Sequence, residues 1–145
     1  MKLLALLLFI LSCSAFAKLP KVSSGSIERL ENYHSEFVPP RHIDIWLPEG
    51  YNGKKKYAVV YMHDGQMLFD GSNSWNQQEW RVDETAAGLI AEGKTRPFIV
   101  VGIFNAGPHR HSEYFPQQPF MALTAEQQQA LYQPDAAQQA SLFTQ

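Results

Sequence analysis

The residues whose types could carry chemistry stand directly after one apolar run, Tyr57–Met62, where the chain reads His63-Asp64-Gly65-Gln66. A glycine at the end of a strand lets the backbone turn sharply and direct amide N–H groups toward a bound carbonyl oxygen. Each N–H group aimed at an oxygen that becomes negative in acyl transfer can contribute roughly 3 kcal/mol. The alternative interpretation is a turn that only ends the strand.

The sequence offers no nucleophile to accompany this turn. Ester hydrolysis through a serine needs that serine on a sharp strand-to-helix turn, in Gly-x-Ser-x-Gly, followed by an acid and a histidine. The nearest match, Gly71-Ser72-Asn73-Ser74-Trp75, lacks the second glycine and a preceding strand. His63 and Asp64 are neighbours on an extended chain and point to opposite faces, so they cannot act as a base and its orienting acid. No catalytic residue is therefore assigned in this chain.

Metal, cofactor and nucleic-acid chemistry find little support in the composition. His109 and His111 stand two apart and could face one metal ion, with Glu113 as a third ligand. Two-apart histidines in a proline-containing loop are usually polar surface, so no metal site is predicted. The sequence has 12 basic and 14 acidic residues and a net charge of -2, which leaves no basic surplus for nucleic acid. The absence of a glycine-rich phosphate loop and of a cysteine cluster predicts no cofactor.

The amino end, residues 1–17, has the three parts of a secretory signal peptide. Lys2 supplies a positive start, Leu3 to Leu11 are apolar, and Ala15-Phe16-Ala17 ends the segment with small residues. This pattern predicts cleavage after Ala17 and a secreted or periplasmic chain, with a lipoprotein anchored through Cys13 as the alternative. The apolar run spans about 14 Å as a helix, too short to cross a bilayer, so no membrane association is expected after cleavage.

The next segments predict an antiparallel hairpin. Residues 18–25 form a polar leader, and Ser26 to Phe37 can be extended. Pro39-Pro40 breaks this segment, because neither proline has an amide N–H for a sheet. Arg41 to Leu47 then alternates polar and apolar residues, the period of a half-buried strand.

A βαβ unit is predicted farther along the chain. Tyr57–Met62 and Phe98–Ile103 are continuous apolar runs, typical of parallel strands that are buried on both faces. Between them, Val82 to Glu92 places apolar residues at i, i+4, i+7 and i+8, one face of a helix that ends before Gly93. The fold class is therefore α/β, with an antiparallel hairpin followed by strand, helix and strand.

Several motifs in a fixed order resemble the esterase branch of the α/β-hydrolases, which includes esterase D-like enzymes, enterochelin esterases, and feruloyl and acetylxylan esterases. The resemblance runs from about Ile27 to Pro116 and rests on the motifs YMHDGQMLFD, WRVDE, VVGIFN and RHSEYFP. It implies an oxyanion hole that uses backbone N–H groups at Gly65 and Gln66, and a place near the active-site rim for Arg110 and Tyr114. The implied reaction is hydrolysis of a small-molecule carboxylic ester, such as a carbohydrate or siderophore ester, through a serine acyl-enzyme without a cofactor.

On this resemblance, residues 26–120 are the N-terminal part of an α/β-hydrolase domain, and the fold is incomplete because the nucleophile-elbow half is missing. Residues 121–145, rich in Gln and Ala, are expected to be a variable insert or a disordered tail, with a helix over Thr124 to Gln133. The chain is expected to be inactive alone. The alternatives are a non-catalytic binding module and one half of a split enzyme, whose partner is a complementary C-terminal half. Without that half, the strand Tyr57–Met62 lacks a neighbour and is expected to leave an open edge.

Overall fold

The computed structural model describes residues 18–132, so the predicted signal peptide and residues 133–145 lie outside the described residues. The described chain folds around a mixed sheet of four strands in the order β1-β2-β4-β3. The strands are β1 (Ser26–Tyr33), β2 (Arg41–Leu47), β3 (Ala58–His63) and β4 (Phe98–Ile103).

The first two strands form the predicted antiparallel hairpin. Ser26 pairs with Leu47, and the register continues to Leu30 opposite Ile43 before it shifts. The first strand stops at Tyr33 rather than continuing to Phe37 as the sequence predicts. Asp44 and Trp46, two positions apart on β2, lie on one face and are fully buried, whereas Ile43 and Ile45 on the other face are half-buried.

The predicted βαβ unit is also confirmed. The third and fourth strands run parallel, from Ala58 opposite Phe98 to His63 opposite Ile103. Helix α1 (Val82–Ala91) lies in the connection between them. The helix ends where predicted, because Gly93 has a φ of 69° and its N–H donates a hydrogen bond to the Ile90 carbonyl at 3.0 Å.

Three short helices follow β4: α2 (Arg110–Tyr114), α3 (Gln117–Met121) and α4 (Ala125–Tyr132). The last of them confirms the helix predicted over Thr124 to Gln133. Within residues 18–132, no helix is both long and apolar enough to cross a membrane. The predicted α/β class, with a hairpin plus a βαβ unit, is therefore the observed architecture.

The hydrophobic core lies between one face of the sheet and α1. Its buried members are Trp46, Leu68, Phe69, Ala86 and Val100. The indole N–H of Trp46 donates a hydrogen bond to the Ser24 carbonyl at 2.8 Å, so the largest core side chain is both packed and satisfied.

The third strand has the open edge that was predicted for it, and it lacks the two-sided burial that its apolar run alone predicts. The apolar run Tyr57–Met62 predicts burial on both faces, but Val59 and Val60 are each 42% exposed and Tyr61 is 71% exposed. In the described chain β3 is the last strand of the sheet, with only β4 beside it. An apolar run indicates that a strand suits burial on both faces, but in the described chain β3 lacks the neighbouring elements that would bury it.

Residues 18–25, predicted as a leader, lie against the sheet and α1 and are called the N-terminal strap below. The Lys21 N–H donates a hydrogen bond to Asp70 Oδ2 at 2.8 Å. The Ser23 N–H and hydroxyl both donate to Asp83 Oδ2, at 2.7 and 2.9 Å. Val22, between these two anchors, packs against the core. The strap therefore fastens the start of α1 to the body of the fold.

Candidate functional site

The segment that follows β3, residues 64–68, is called the β3 turn. Asp64 has φ 56° and ψ 44°, the left-handed region, and the chain then closes a 3₁₀ turn over Gly65–Met67. The Met67 N–H donates to the Asp64 carbonyl at 2.8 Å. The first N–H groups of a helical turn have no acceptor within that turn, and here they belong to Gly65 and Gln66. These are the two residues for which the family resemblance implies a role in an oxyanion hole.

Gly65 is required by a close approach of two backbones. A Cβ atom at Gly65 would lie 2.5 Å from the Gly102 carbonyl oxygen, and one at Gly102 would lie 2.8 Å from Leu68 Cδ1. Gly65 cannot carry a side chain without displacing the backbone at Gly102, and a side chain at Gly102 would press on the Leu68 side chain. The β3 turn therefore crosses directly over the end of β4, and the positions of the Gly65 and Gln66 amides are set by that crossing.

The Asp64 side chain is the polar centre of this region. Asp64 is buried, and its carboxylate accepts hydrogen bonds from Arg110 Nε at 2.8 Å and Arg110 Nη2 at 2.7 Å. Asn105 Nδ2 donates a third, at 2.7 Å. The hydrogen bond from Arg110 lowers the pKa of the Asp64 carboxyl more than burial raises it. The carboxylate is therefore held in its charged form.

Tyr114 completes the group. Its ring lies 5.0 Å from the Arg110 guanidinium carbon and 5.0 Å from the His63 ring. Burial raises the pKa of the Tyr114 hydroxyl, with the nearby Asp64 carboxylate acting in the same direction. The structure therefore brings Arg110 and Tyr114 beside the β3 turn, and their place at the rim of an active site stays a prediction.

A cavity of about 250 Å³ lies next to Gly65 and Gln66. The buried ion pair of Arg29 and Asp44 forms part of its wall, with Arg29 Nε donating to Asp44 Oδ1 at 2.6 Å and Arg29 Nη2 to Oδ2 at 2.7 Å. Phe104 lies beside this pair, its ring centre 5.2 Å from the guanidinium carbon. The cavity thus combines a neutralised ion pair with aromatic surface.

The residues considered for metal binding do not form the loop that the sequence predicts, because His111 and Glu113 lie on α2, and both have other partners. The Glu113 carboxylate accepts hydrogen bonds from Arg41 Nη1 and Nη2, both at 2.9 Å. The His111 ring lies 5.6 Å from Phe115. Over the part of the chain that the structure describes, no group of three His, Cys, Asp or Glu side chains is arranged to hold a metal ion.

Sequence reasoning missed two features of the site. Asp64 was considered only as a partner for His63, whereas its partners are Arg110 and Asn105. The ion pair of Arg29 and Asp44 was not predicted at all. The available signal for Asp64 was its position directly before Gly65, at the point where the chain must turn after an apolar run.

Comparison with known families decides the relationship. Residues 35–139 match the family model described as "Putative esterase". The chain belongs to this esterase family. The match covers the β3 turn, Asn105, Arg110 and Tyr114, so the resemblance on which the site prediction rests is confirmed. Ester hydrolysis is thus supported as the family-level chemistry.

The chain is also similar to parts of several solved structures. A CE1 ferulic acid esterase from Anaeromyces mucronatus in complex with ferulic acid has 26% identity and a TM-score of 0.40, covering 59% of this chain and 30% of that one. The same enzyme without substrate has 27% identity and a TM-score of 0.41, covering 59% and 31%. A chain described as FAE has 25% identity and a TM-score of 0.37, covering 72% and 38%. The present chain spans well under half of each of these proteins.

Proposed function

We propose that this chain supplies the oxyanion-binding part of a serine-dependent carboxylic-ester hydrolase. The observation that carries the proposal is the β3 turn, where Gly65 is pressed against Gly102 and the Gly65 and Gln66 amides begin a helical turn. Preformed N–H groups of this kind stabilise negative charge that develops on a carbonyl oxygen, and they need no reorganisation during the reaction.

In the proposed reaction a serine on a complementary segment attacks the ester carbonyl carbon while a histidine takes the serine proton. The carbonyl oxygen becomes negative, and the N–H groups of Gly65 and Gln66 donate hydrogen bonds to it. The alcohol then leaves with the proton from the histidine, and water releases the acid from the acyl-enzyme in a second cycle. The reaction needs no cofactor, and the serine, acid and histidine are not supplied by this chain.

The open edge of β3 is the proposed joining surface for a complementary C-terminal half. Val59, Val60 and Tyr61 are exposed there, and β3 has no neighbour on its outer side in residues 18–132. A strand added at this edge would restore the two-sided burial that the apolar sequence of β3 suits. It would also bring a second segment next to the β3 turn, which directly follows β3.

Small-molecule carboxylic esters, of carbohydrates or siderophores, are the proposed substrates of the assembled protein. The chain is proposed to be exported, secreted or periplasmic, with cleavage after Ala17. Amino-terminal sequencing of exported material should then begin at Lys18. An intact Met1 would contradict export by this route, and a lipid on Cys13 would replace it with a lipoprotein.

Activity tests the proposed function. The purified chain should release no nitrophenol from short acyl nitrophenyl esters above background, because it lacks an activated serine. The assay is then repeated on the protein with a segment that carries Gly-x-Ser-x-Gly joined or added to it. Hydrolysis in that protein supports the proposal. A stoichiometric burst from the chain alone would reveal a nucleophile elsewhere, and ester binding without hydrolysis would favour a binding module.

A matched pair at one position tests the oxyanion role. Gln66→Pro removes the backbone N–H, whereas Gln66→Ala keeps it and removes only the side-chain contact. In the active protein Gln66→Pro should lower kcat by about 10²–10³-fold, the effect of losing one oxyanion donor. The alanine variant should lose less than about tenfold, the equivalent of one ordinary hydrogen bond. Equal losses in the two folded variants would assign the effect to the side chain and contradict the proposed role.

A further inference from the structure

The Asp64 carboxylate and the Arg110 guanidinium form a connection between two separate segments. Asp64 directly follows β3, and Arg110 begins α2, which lies beyond β4 in the chain. Both nitrogens of the guanidinium fork that face Asp64 donate to it, at 2.8 and 2.7 Å. A forked arginine-carboxylate pair fixes orientation as well as distance. The pair therefore sets how α2 lies relative to the β3 turn.

Asn105 adds a second connection between the same two segments. Its side-chain Nδ2 donates to Asp64 Oδ1 at 2.7 Å, while its backbone N–H donates to Gln66 Oε1 at 3.2 Å. The two residues that flank Gly65 are thus held by one residue that follows β4. The β3 turn is therefore held by three contacts: the two hydrogen bonds of Asn105 and the close approach of Gly65 to Gly102.

The backbone of Asp64 gives this arrangement a further role. Asp64 is a non-glycine residue in the left-handed region, and aspartate and asparagine are the side chains that tolerate it best. The left-handed residue directs the chain from β3 into the 3₁₀ turn that begins at Gly65. The orientation of the Gly65 and Gln66 amides therefore depends on the backbone conformation of Asp64, which the hydrogen bonds of its side chain stabilise.

The aromatic neighbours restrict the arginine from its other face. The Tyr114 ring lies over the Arg110 guanidinium, and the same ring contacts His63 at the end of β3. The Arg110 side chain is 40% exposed and the Asp64 side chain is 4% exposed. The arginine therefore lies between the buried carboxylate and the solvent. The guanidinium is held between a buried anion and an aromatic ring.

We propose that Asp64, acting with Arg110 and Asn105, is a positioning residue that holds the Gly65 and Gln66 amides in place for the developing oxyanion. This proposal rests on the proposed function of the β3 turn. Asp64 touches no reacting atom and contributes through the backbone conformation that it fixes. Arg110 accordingly serves the reaction through Asp64, in addition to its predicted place at the rim.

Hydrogen exchange of the full chain tests the arrangement without any catalysis. The amides to follow are those of Met67, which donates to Asp64, and Asn105, which donates to Gln66. Asp64→Asn keeps the left-handed preference and the size of the side chain but loses the charge. It should speed exchange at these two amides by about tenfold or more beyond any change at the amides of β4, because the β3 turn then opens locally whereas β4 reports the loss of global stability.

Two further variants separate a specific role from general stabilisation. Arg110→Lys keeps the charge but cannot form the fork, and it should reproduce part of the effect of Asp64→Asn. The double variant should be no worse than Asp64→Asn alone, because both act through one interaction. Arg41→Gln is the matched control, since Arg41 also pairs with a carboxylate of α2, that of Glu113. It should leave exchange at Met67 and Asn105 unchanged.

The active protein gives the decisive reading. There Asp64→Asn should lower kcat by about 10-fold or more with KM within about twofold, because an interaction with the oxyanion is made only in the transition state. Faster exchange at Met67 and Asn105 with unchanged kcat would overturn the positioning role. So would exchange in Asp64→Asn that is unchanged, or that is faster by the same factor at all amides. Uniformly fast exchange in the wild type would also overturn it, because the β3 turn would then not be held in place. If the wild type with its complementary segment hydrolyses no ester, the proposed function fails, and this inference fails with it whatever the exchange data show.

Discussion

Two neighbouring strands, β3 and β4, are built from the same kind of residue and have very different surroundings. Val60 and Val100 face each other in the parallel register, yet Val60 is 42% exposed and Val100 is fully buried. The fourth strand has a neighbour on each side, and α1 and the β3 turn cover its core face. The third strand is flanked only by β4 in the described chain.

We expect this difference to separate a part of the molecule that provides stability from a part whose exposed strand can associate with another chain. Most stabilising contacts involve β1, β2, β4 or α1. They include the core side chains, the ion pair of Arg29 and Asp44, and the hydrogen bonds of Ser23 in the N-terminal strap to Asp83. Substitutions there should lower the free energy of unfolding. Substitutions on β3 should instead change what the chain associates with.

The largest loss is expected at the ion pair between Arg29 and Asp44. Arg29→Met leaves a carboxylate that is 1% exposed without its guanidinium, and breaking such a pair lowers the free energy of unfolding by about 3–5 kcal/mol. Lys94→Met breaks an exposed pair with Glu92 and should cost less than about 1 kcal/mol. Urea denaturation of both variants measures the two costs. Similar values would show that Asp44 is hydrated or has another donor.

A pair of identical substitutions tests the comparison directly. Val100→Ala should lower the free energy of unfolding by about 2 kcal/mol, because it leaves a void in the core. Val60→Ala, at the facing position on β3, should cost less than about 1 kcal/mol, because much of that side chain is already in water. The measurement is the urea midpoint at constant m. Equal costs would mean that β3 is covered in solution.

Acid should act through the junction of the two regions. The pKa of the Asp64 carboxyl is lowered in the folded chain by Arg110, so its contribution is complete above the unfolded value of about 3.9 and is lost as the pH falls through the folded value. The thermal midpoint should therefore be flat down to about pH 5 and then fall. In Asp64→Asn, which should cost about 1–2 kcal/mol at neutral pH, the fall below pH 5 should be shallower. An identical acid profile would place the sensitivity in other carboxylates.

The smallest effect on folding, and the clearest effect on assembly, is expected at Tyr61. This residue is 71% exposed on an apolar edge strand, the kind of surface that pairs with other chains. Sedimentation of the isolated chain should show self-association that rises with concentration. Tyr61→Lys should reduce it and change the unfolding free energy by less than about 0.5 kcal/mol. A wild-type chain that stays monomeric with a sharp cooperative thermal transition would show that the edge is covered.

The sequence predicted the elements well where one period dominates. Arg41 to Leu47 has apolar residues at the alternate positions 43, 45 and 47, Phe98 to Ile103 is a continuous run, and Val82 to Glu92 follows a helical period with Gly93 after it. Each of these elements was found within a residue of its prediction. Local patterning suffices in such cases because the side-chain period and the backbone conformation depend on each other.

The parts that the sequence did not predict depend on long-range placement. Arg110 and Asp64 are 46 positions apart, and nothing in either local sequence indicates that they meet. Arg29 and Asp44 face each other across the predicted hairpin, but the register shifts near the turn, and a shift by one residue would place them on opposite faces. The exposure of β3 was expected from the resemblance and not from the apolar run itself, because it depends on whether a neighbouring strand is present.

The N-terminal strap also has a consequence for the order in which the chain folds. Ser23 finds its partner Asp83 across 60 positions, and Lys21 finds Asp70 across 49. Closing such long loops is entropically costly until the rest of the structure has formed. We therefore expect the first residues of the described chain to dock late, after α1 has been synthesised. Until Ala86 of α1 and Val100 of β4 have been added, the core around Trp46 lacks part of its packing, and we expect a half-synthesised chain to leave that apolar surface exposed.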